Sequence, residues 1–212
     1  MYLLAVHASP RKQGNSEILL NSFLSGLNPP KINAEKIRLA ELKFMPCIEC
    51  GGCEKDGTCI LEDALTEVYS KVLKTNFLVI ATPIFFYTYP SFLQAFFERF
   101  QAFWVSKYLL KNPAPSQKPK GILLALGATK GKKIFECLVR SFKYVLDTID
   151  GEYIGGIFIR GIDKKGEILN HPEFLEKAKV LGQKVCLLEK KDLAKPKDEL
   201  ARFLGLNLDP VP

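Results

Sequence analysis

Histidine is almost missing from this chain: its 212 residues include two, His7 and His171, with one tryptophan and two methionines. So sparse a set offers no Ser/His/Asp or Cys/His arrangement for nucleophilic hydrolysis. The carboxylates form no metal-ligand set. No apolar run approaches the roughly 20 residues that a membrane-spanning helix needs, so a membrane is not an expected partner. The phosphate-binding signature G-x-x-x-x-G-K-[ST] is absent, and so is the dinucleotide signature G-x-G-x-x-G. No repeat or low-complexity tract occurs, and no nucleic-acid-binding motif accompanies the positive charge, which argues against nucleic acid as a partner. The opening run Met1-Tyr-Leu-Leu-Ala-Val-His7 is short and has no basic region ahead of it. It reads as a first buried strand rather than a signal peptide, and a cytoplasmic location is the default expectation.

What is present describes an α/β domain. A hydrophobic fraction of 47% with 25% charged residues is ordinary for a globular chain and speaks against disorder. Short β-branched and leucine runs at 2–7, 36–39, 77–81, 121–126 and 153–159 alternate with helical patterns at 16–27, 61–74, 90–107, 133–149 and 172–190. Such continuous runs are strands buried on both faces of a parallel sheet. The expected architecture is a doubly wound five-stranded parallel sheet with helices on both faces. Residues 1–190 would form this domain, with a cysteine-bearing loop at 44–60. Residues 191–212 are a C-terminal extension that reads either as a packed arm or as a frayed end.

In a doubly wound sheet, ligands sit beyond the carboxyl ends of the strands, so the loops after each strand carry the chemistry. The first is Ser9-Pro-Arg-Lys-Gln-Gly-Asn-Ser16. Ser9, Asn15 and Ser16 supply short polar side chains, and Gly14 permits close backbone approach. Arg11 can fork onto phosphate oxygens, and the free amides of the next helix point at the anion. The alternative is an ordinary polar turn with Asn15 or Ser16 as a helix cap. The loop after the third strand, Pro83-Ile84-Phe85-Phe86, could flank a flat ring or simply pack in the core. The loop after the fourth, Gly127-Ala-Thr129-Lys-Gly131, allows a ligand edge to approach the backbone.

Four of the six cysteines fall within thirteen residues, Cys47, Cys50, Cys53 and Cys59, spaced C-x2-C-x2-C-x5-C. Thiolates this dense suit a metal or an iron–sulfur cluster. Gly51 and Gly52 leave room for the loop to fold around a cube and free their amides for the sulfurs. Zinc fits less naturally, because structural zinc usually takes two ligand pairs separated by a longer loop. Unoccupied or redox-active thiols are the third option. Cys137 and Cys186 read as small buried hydrophobes on helix faces. His7 lies at a strand end beside the first loop, and His171 at a helix start.

The loop S-P-R-K-x-G-N-S after a first strand resembles the FMN phosphate loop of the flavodoxin-like NAD(P)H-dependent FMN reductase family. The stretch Thr82–Phe86 followed by Leu93-Gln-Ala-Phe-Phe-Glu-Arg99 resembles that family's P-x-Y-F … L-K-x-F-x-D-R, with Phe85 for tyrosine, Gln94 for lysine and Glu98 for aspartate. The cysteine run resembles the compact motif of its iron–sulfur flavoprotein branch. The resemblance covers roughly the first 130 residues. It implies FMN held at its phosphate by Ser9, Arg11, Gly14, Asn15 and Ser16, and around its ring by Pro83, Ile84, Phe85 and Phe86, with Gly127 and Thr129 nearby. It implies a 4Fe–4S cluster on Cys47, Cys50, Cys53 and Cys59. It also implies a homodimer or homotetramer, and electron exchange with a ferredoxin-type carrier or NAD(P)H. A cluster-free reductase of flavin or quinones, and a non-catalytic zinc- or thiol-based redox sensor, are the alternatives.

The net charge of +7 is uneven. Between Lys107 and Lys143 lie nine basic residues (Lys107, Lys111, Lys118, Lys120, Lys130, Lys132, Lys133, Arg140, Lys143), opposed only by Glu136. This is either a solvated lysine-rich surface or a docking face for an acidic partner such as ferredoxin.

Overall fold

Five apolar runs become the strands of one parallel sheet in the computed structural model, which describes residues 1–209. They are β1 (Tyr2–His7), β2 (Asn33–Arg38), β3 (Phe77–Pro83), β4 (Lys120–Gly127) and β5 (Glu152–Arg160), in the order β2-β1-β3-β4-β5. The chain reverses its direction of sheet growth between β1 and β3, which makes that crevice the ligand position of a flavodoxin-like sheet. All of β4, and β3 up to Thr82, is buried, as strands covered on both faces must be. The edge strand β2 is largely exposed and carries Glu35 and Lys36, charges that discourage pairing with another chain.

The strand pleat divides the core into two layers. Leu3, Ala5, Val79 and Leu124 face α1 (Asn15–Ser25) and α6 (Pro172–Val185). Leu4, Val6, Leu78 and Ile80 face α2 (Ala64–Val72), α3 (Ser91–Glu98) and α5 (Glu136–Asp147). Helices α1 and α6 approach so closely that a Cβ on Gly182 would stand 2.2 Å from the Phe23 carbonyl oxygen. The C-terminal helix α7 (Lys197–Leu204) buries Leu200, Ala201 and Leu204 in the first layer. Beyond it, Asn207 exchanges two backbone hydrogen bonds with Gly156 (2.9 and 3.2 Å). The extension is therefore packed from residue 197 to 207 and covers part of the β5 edge; residues 210–212 lie outside the described residues.

Several boundaries differ from the sequence expectation. β2 starts three residues early, at Asn33. The helix expected over 61–74 begins only at Ala64, because Asp63 caps it: its carboxylate accepts the Leu65 amide at 2.9 Å, and Thr66 completes the capping box. The helix expected over 90–107 is broken after Glu98. A short α4 (Gln101–Trp104) runs into a π-helical turn (Val105–Leu109), closed by the Leu110 amide on the Val105 carbonyl at 3.0 Å. That wide turn sits against the cysteine loop, where Asn112 Nδ2 reaches the Asp56 carbonyl at 3.4 Å. Cys137 is exposed, not buried, since the apolar stripe of α5 runs through Leu138, Val139 and Phe142 instead. Cys186 is buried as expected and accepts the Asn28 amide.

The basic stretch does not make one face. Lys107 is paired with Asp147 and Asp150, both at 3.1 Å, and Lys120 with Glu152 at 2.7 Å. Lys120 opens β4, whereas Lys130, Lys132 and Lys133 follow its end, about 25 Å away along an extended strand. Among the described residues, no helix is long and apolar enough to cross a membrane.

Candidate functional site

At the switch point the loop after β1 turns sharply, with Gln13 in the left-handed region (φ 53°) and its amide donating to Glu17 Oε2 at 2.7 Å. The turn delivers Gly14 to the N-cap of α1, where its missing side chain matters: a Cβ there would lie 3.2 Å from Arg11 Cβ. The unpaired amides of the first helical turn, and the helix dipole behind them, then face a cleft. Ser9, Arg11, Gly14, Asn15, Ser16, Pro83, Ile84, Phe85 and Gly127 all line that cleft, which encloses about 470 Å³ out to its mouth.

The loop residues have distinct local duties. Ser9 Oγ accepts the Arg11 amide at 3.2 Å. The Asn15 side chain is committed to the loop after β5: it donates to the Lys164 carbonyl at 2.9 Å and accepts the Ile168 amide at 3.2 Å. It thus ties two loops together, so that Ser16, Arg11 and the backbone are the groups that could contact an anion here. Arg11 Nη1 rests on the Asp163 carbonyl at 3.2 Å, with its other donors still available.

In the loop after β3, Ile84 packs against the second core layer, whereas Phe85, Phe86 and Tyr87 are exposed. Phe85 and Thr88 exchange two backbone hydrogen bonds around a tight turn, with Phe86 at φ 49° and Tyr87 at φ 63°. Bulky residues at positive φ are unusual and strained, and Phe86 at the tip is 100% exposed. Two predicted residues therefore stay out of the cleft wall: Phe86, and Thr129, which is exposed on the loop after β4. Sequence reasoning missed Leu126, Ala128, Ile162 and Asp163, which do line it. The signal for the last two was available, because Gly161-Ile-Asp-Lys-Lys-Gly166 also follows the carboxyl end of a strand.

Beneath the cradle lies His7, fully buried, with neither ring nitrogen hydrogen-bonded. Burial pushes its pKa down to about 4; Glu17 and Glu41 oppose that, while Arg38 and Lys36 assist it. At pH 7 it is a neutral side chain, and nothing places it on a ligand. His171 stands at the N-cap of α6, with Nδ1 3.3 Å from Glu173 Oε1 and no capping bond of its own.

The four clustered cysteines line a second pocket, of about 630 Å³, together with Gly51, Ile60, Arg99, Gln101, Ala102 and Val105. Left-handed Glu49, Gly51 and Gly57 coil the loop, and a Cβ on Gly52 would collide with Ile60 at 2.5 Å. Among the described residues, no three histidine, cysteine or acidic side chains converge as ligands of a single ion must. A cubane makes a different demand, since each thiolate takes its own iron. The donor chemistry fits such a group. Burial raises the Cys53 pKa, and the neighbouring Cys59, Cys47 and Cys50 raise it further, so a cation beside that sulfur would favour its thiolate form.

Strand order, switch-point cleft and anion cradle together define a flavodoxin-like α/β protein. A model described as NADPH-dependent FMN reductase matches residues 1–149, and the chain belongs to that family of FMN-dependent oxidoreductases. An iron-sulfur flavoprotein of Methanosarcina thermophila is 25% identical over 130 residues, 61% of this chain and 65% of that protein's length. One from Methanocaldococcus jannaschii is 26% identical over 195 residues, 88% of this chain and 96% of its own. In fold, the chain matches an NAD(P)H:quinone oxidoreductase from Methanothermobacter marburgensis with a TM-score of 0.67 at 17% identity, covering 87% and 96% of the two chains. An azoreductase from Bacillus anthracis matches with a TM-score of 0.60 at 16% identity, covering 87% and 99%.

Proposed function

We propose that this chain is an iron–sulfur flavoprotein: it holds FMN in the switch-point cleft and exchanges electrons through a 4Fe–4S cluster on Cys47, Cys50, Cys53 and Cys59. The observation that carries this reading is the pairing of two sites on one sheet, an anion cradle at the β1/β3 crevice and a pocket lined by all four clustered cysteines. FMN, when bound, can take electrons as a hydride and pass them on singly. The chain's part is to bind and orient. Arg11, Ser16 and the α1 amides would take the phosphate, and Pro83, Ile84, Phe85 and the Gly127 backbone would face the ring. The names of the two archaeal relatives support the cluster.

The electron partners belong to the same proposal. Lys130, Lys132 and Lys133 at the carboxyl end of β4 suit an acidic carrier such as ferredoxin, and NAD(P)H is the family's donor. Exposed Trp104, Tyr108 and Tyr144, on α4, the π-helical turn and α5, support a homodimer or homotetramer.

A second reading, a cluster-free NAD(P)H-dependent flavin or quinone reductase, is favoured by the unconverged thiols. An anaerobic absorption spectrum with iron and zinc analysis separates the two. Flavin bands over a broad shoulder that bleaches with dithionite are expected. Flavin bands without iron would replace the cluster reading by the reductase, and zinc without flavin would overturn both.

A further inference from the structure

Arg99 follows directly on α3, three of whose eight residues are phenylalanine, yet it is 2% exposed. Burying an ion pair rarely stabilises a fold more than apolar residues of the same size would, so its contacts are the informative part. Nη1 donates to the Met45 carbonyl at 3.1 Å and to Asp63 Oδ2 at 2.8 Å, and Nη2 donates to the Leu61 carbonyl at 3.0 Å. Asp63 Oδ2 accepts the Met45 amide in turn, at 3.2 Å. Met45 stands two residues before Cys47, and Leu61 two residues after Cys59. One guanidinium and one carboxylate therefore close both ends of the cysteine loop.

The same guanidinium forms part of the wall of the cysteine pocket. The other charged residues of that lining, Glu49 and Glu54, are negative, so among the described residues Arg99 is its one cation. Arg99 and Cys59 are near enough to interact electrostatically. Tyr69 backs the guanidinium, 6.0 Å from ring centroid to Cζ, and is itself fixed by a hydrogen bond to the Phe96 carbonyl at 2.9 Å. The Arg99 Nε is buried and has no partner.

We propose that Arg99 is the positioning residue of the cysteine site: with Asp63 it clamps both ends of the loop, and its charge favours the more negative, reduced state of the group the thiolates hold. The clamp rests on the geometry alone. The redox half rests on the cluster reading above. Two variants separate fork from charge: Arg99→Lys keeps the charge with fewer directed donors, and Asp63→Asn with Arg99→Gln removes both charges without stranding either one.

The first measurement uses the metal-free full chain and the labelling of its thiols by dithionitrobenzoate. Cys50 and Cys137 are exposed and react fast in every case, and buried Cys186 reacts last; the half-buried Cys47, Cys53 and Cys59 give the intermediate phase. That phase should quicken about tenfold in the double variant, the opening expected from losing one charge-assisted hydrogen bond. In Arg99→Lys it should quicken in part. The second measurement is the potential after reconstitution with iron and sulfide. At fixed solution potential, the reduced-to-oxidised ratio should fall about tenfold in the double variant, 59 mV for one electron, and stay near wild type in Arg99→Lys. Wild-type labelling rates in both variants would overturn the clamp. Faster labelling with an unchanged potential would overturn the charge effect. If the wild-type chain takes up no cluster, the redox half fails with the cluster reading, and labelling alone decides the clamp.

Discussion

Acid should weaken this protein through His7, and the size of the effect follows from its surroundings. In the unfolded chain the imidazole titrates near its ordinary value of 6.5; in the fold, burial depresses it to about 4. Between those two values the unfolded state binds more protons than the folded one, so stability rises with pH across this window and is lost as pH falls through it. The two pKa values give a loss of about 2 kcal/mol by pH 5 and about 3 kcal/mol by pH 4, with almost none at pH 7.5. His7→Leu removes the titration and replaces two unpartnered buried nitrogens with hydrocarbon, a change that should be neutral or stabilising at pH 7.5. Urea unfolding of both proteins at pH 7.5, 5 and 4 tests this. Carboxylates held below their ordinary range, such as Asp63 and Glu35, lose stability at low pH in both proteins, so the difference between the curves isolates His7. A parallel decline of the wild type and His7→Leu would refute the His7 effect.

Two further outcomes follow from the cleft. Replacing Phe86-Tyr87 by Asn-Gly, the pair suited to a turn with two positive φ angles, should stabilise the fold by about 1–2 kcal/mol and leave FMN affinity nearly unchanged, because neither aromatic lines the cleft; a clear loss of affinity would show that the exposed aromatics reach the ring. Asn15→Ala should cost about 2 kcal/mol by stranding the Lys164 carbonyl and the Ile168 amide. It should also lower FMN affinity through the loosened loop after β5, as read by urea midpoint and by quenching of flavin fluorescence.

The two sites depend on the sheet in different ways. The cradle is made by strand ends, whose positions the ladder of β1, β3 and β4 sets directly. The cysteine loop leaves the sheet after β2 and would have no fixed place without outside support. That support comes from the Asp63 cap, from Arg99, and from α4 and the π-helical turn, which bring Ala102 and Val105 respectively to the pocket. π-helical turns recur at functional sites because the wider turn redirects side chains.

Much of this was legible in the residues alone. The five apolar runs, the turn chemistry of Ser9 to Ser16 and the density of Cys47, Cys50, Cys53 and Cys59 are local signals, each readable from period, glycine placement or spacing. Sheet type and the sites' chemical class follow from such signals. Long-range partnership is different, because it depends on which segments the fold brings together. Only the tertiary structure committed Asn15 to residues about 150 positions away, put Asp163 and Ile162 on the cleft, exposed Cys137 and split the lysines between the two ends of β4. The sharpest case is Arg99. In sequence it follows directly on α3; in space it joins Met45 to Leu61, because a buried guanidinium must find acceptors and the ends of the cysteine loop supply them.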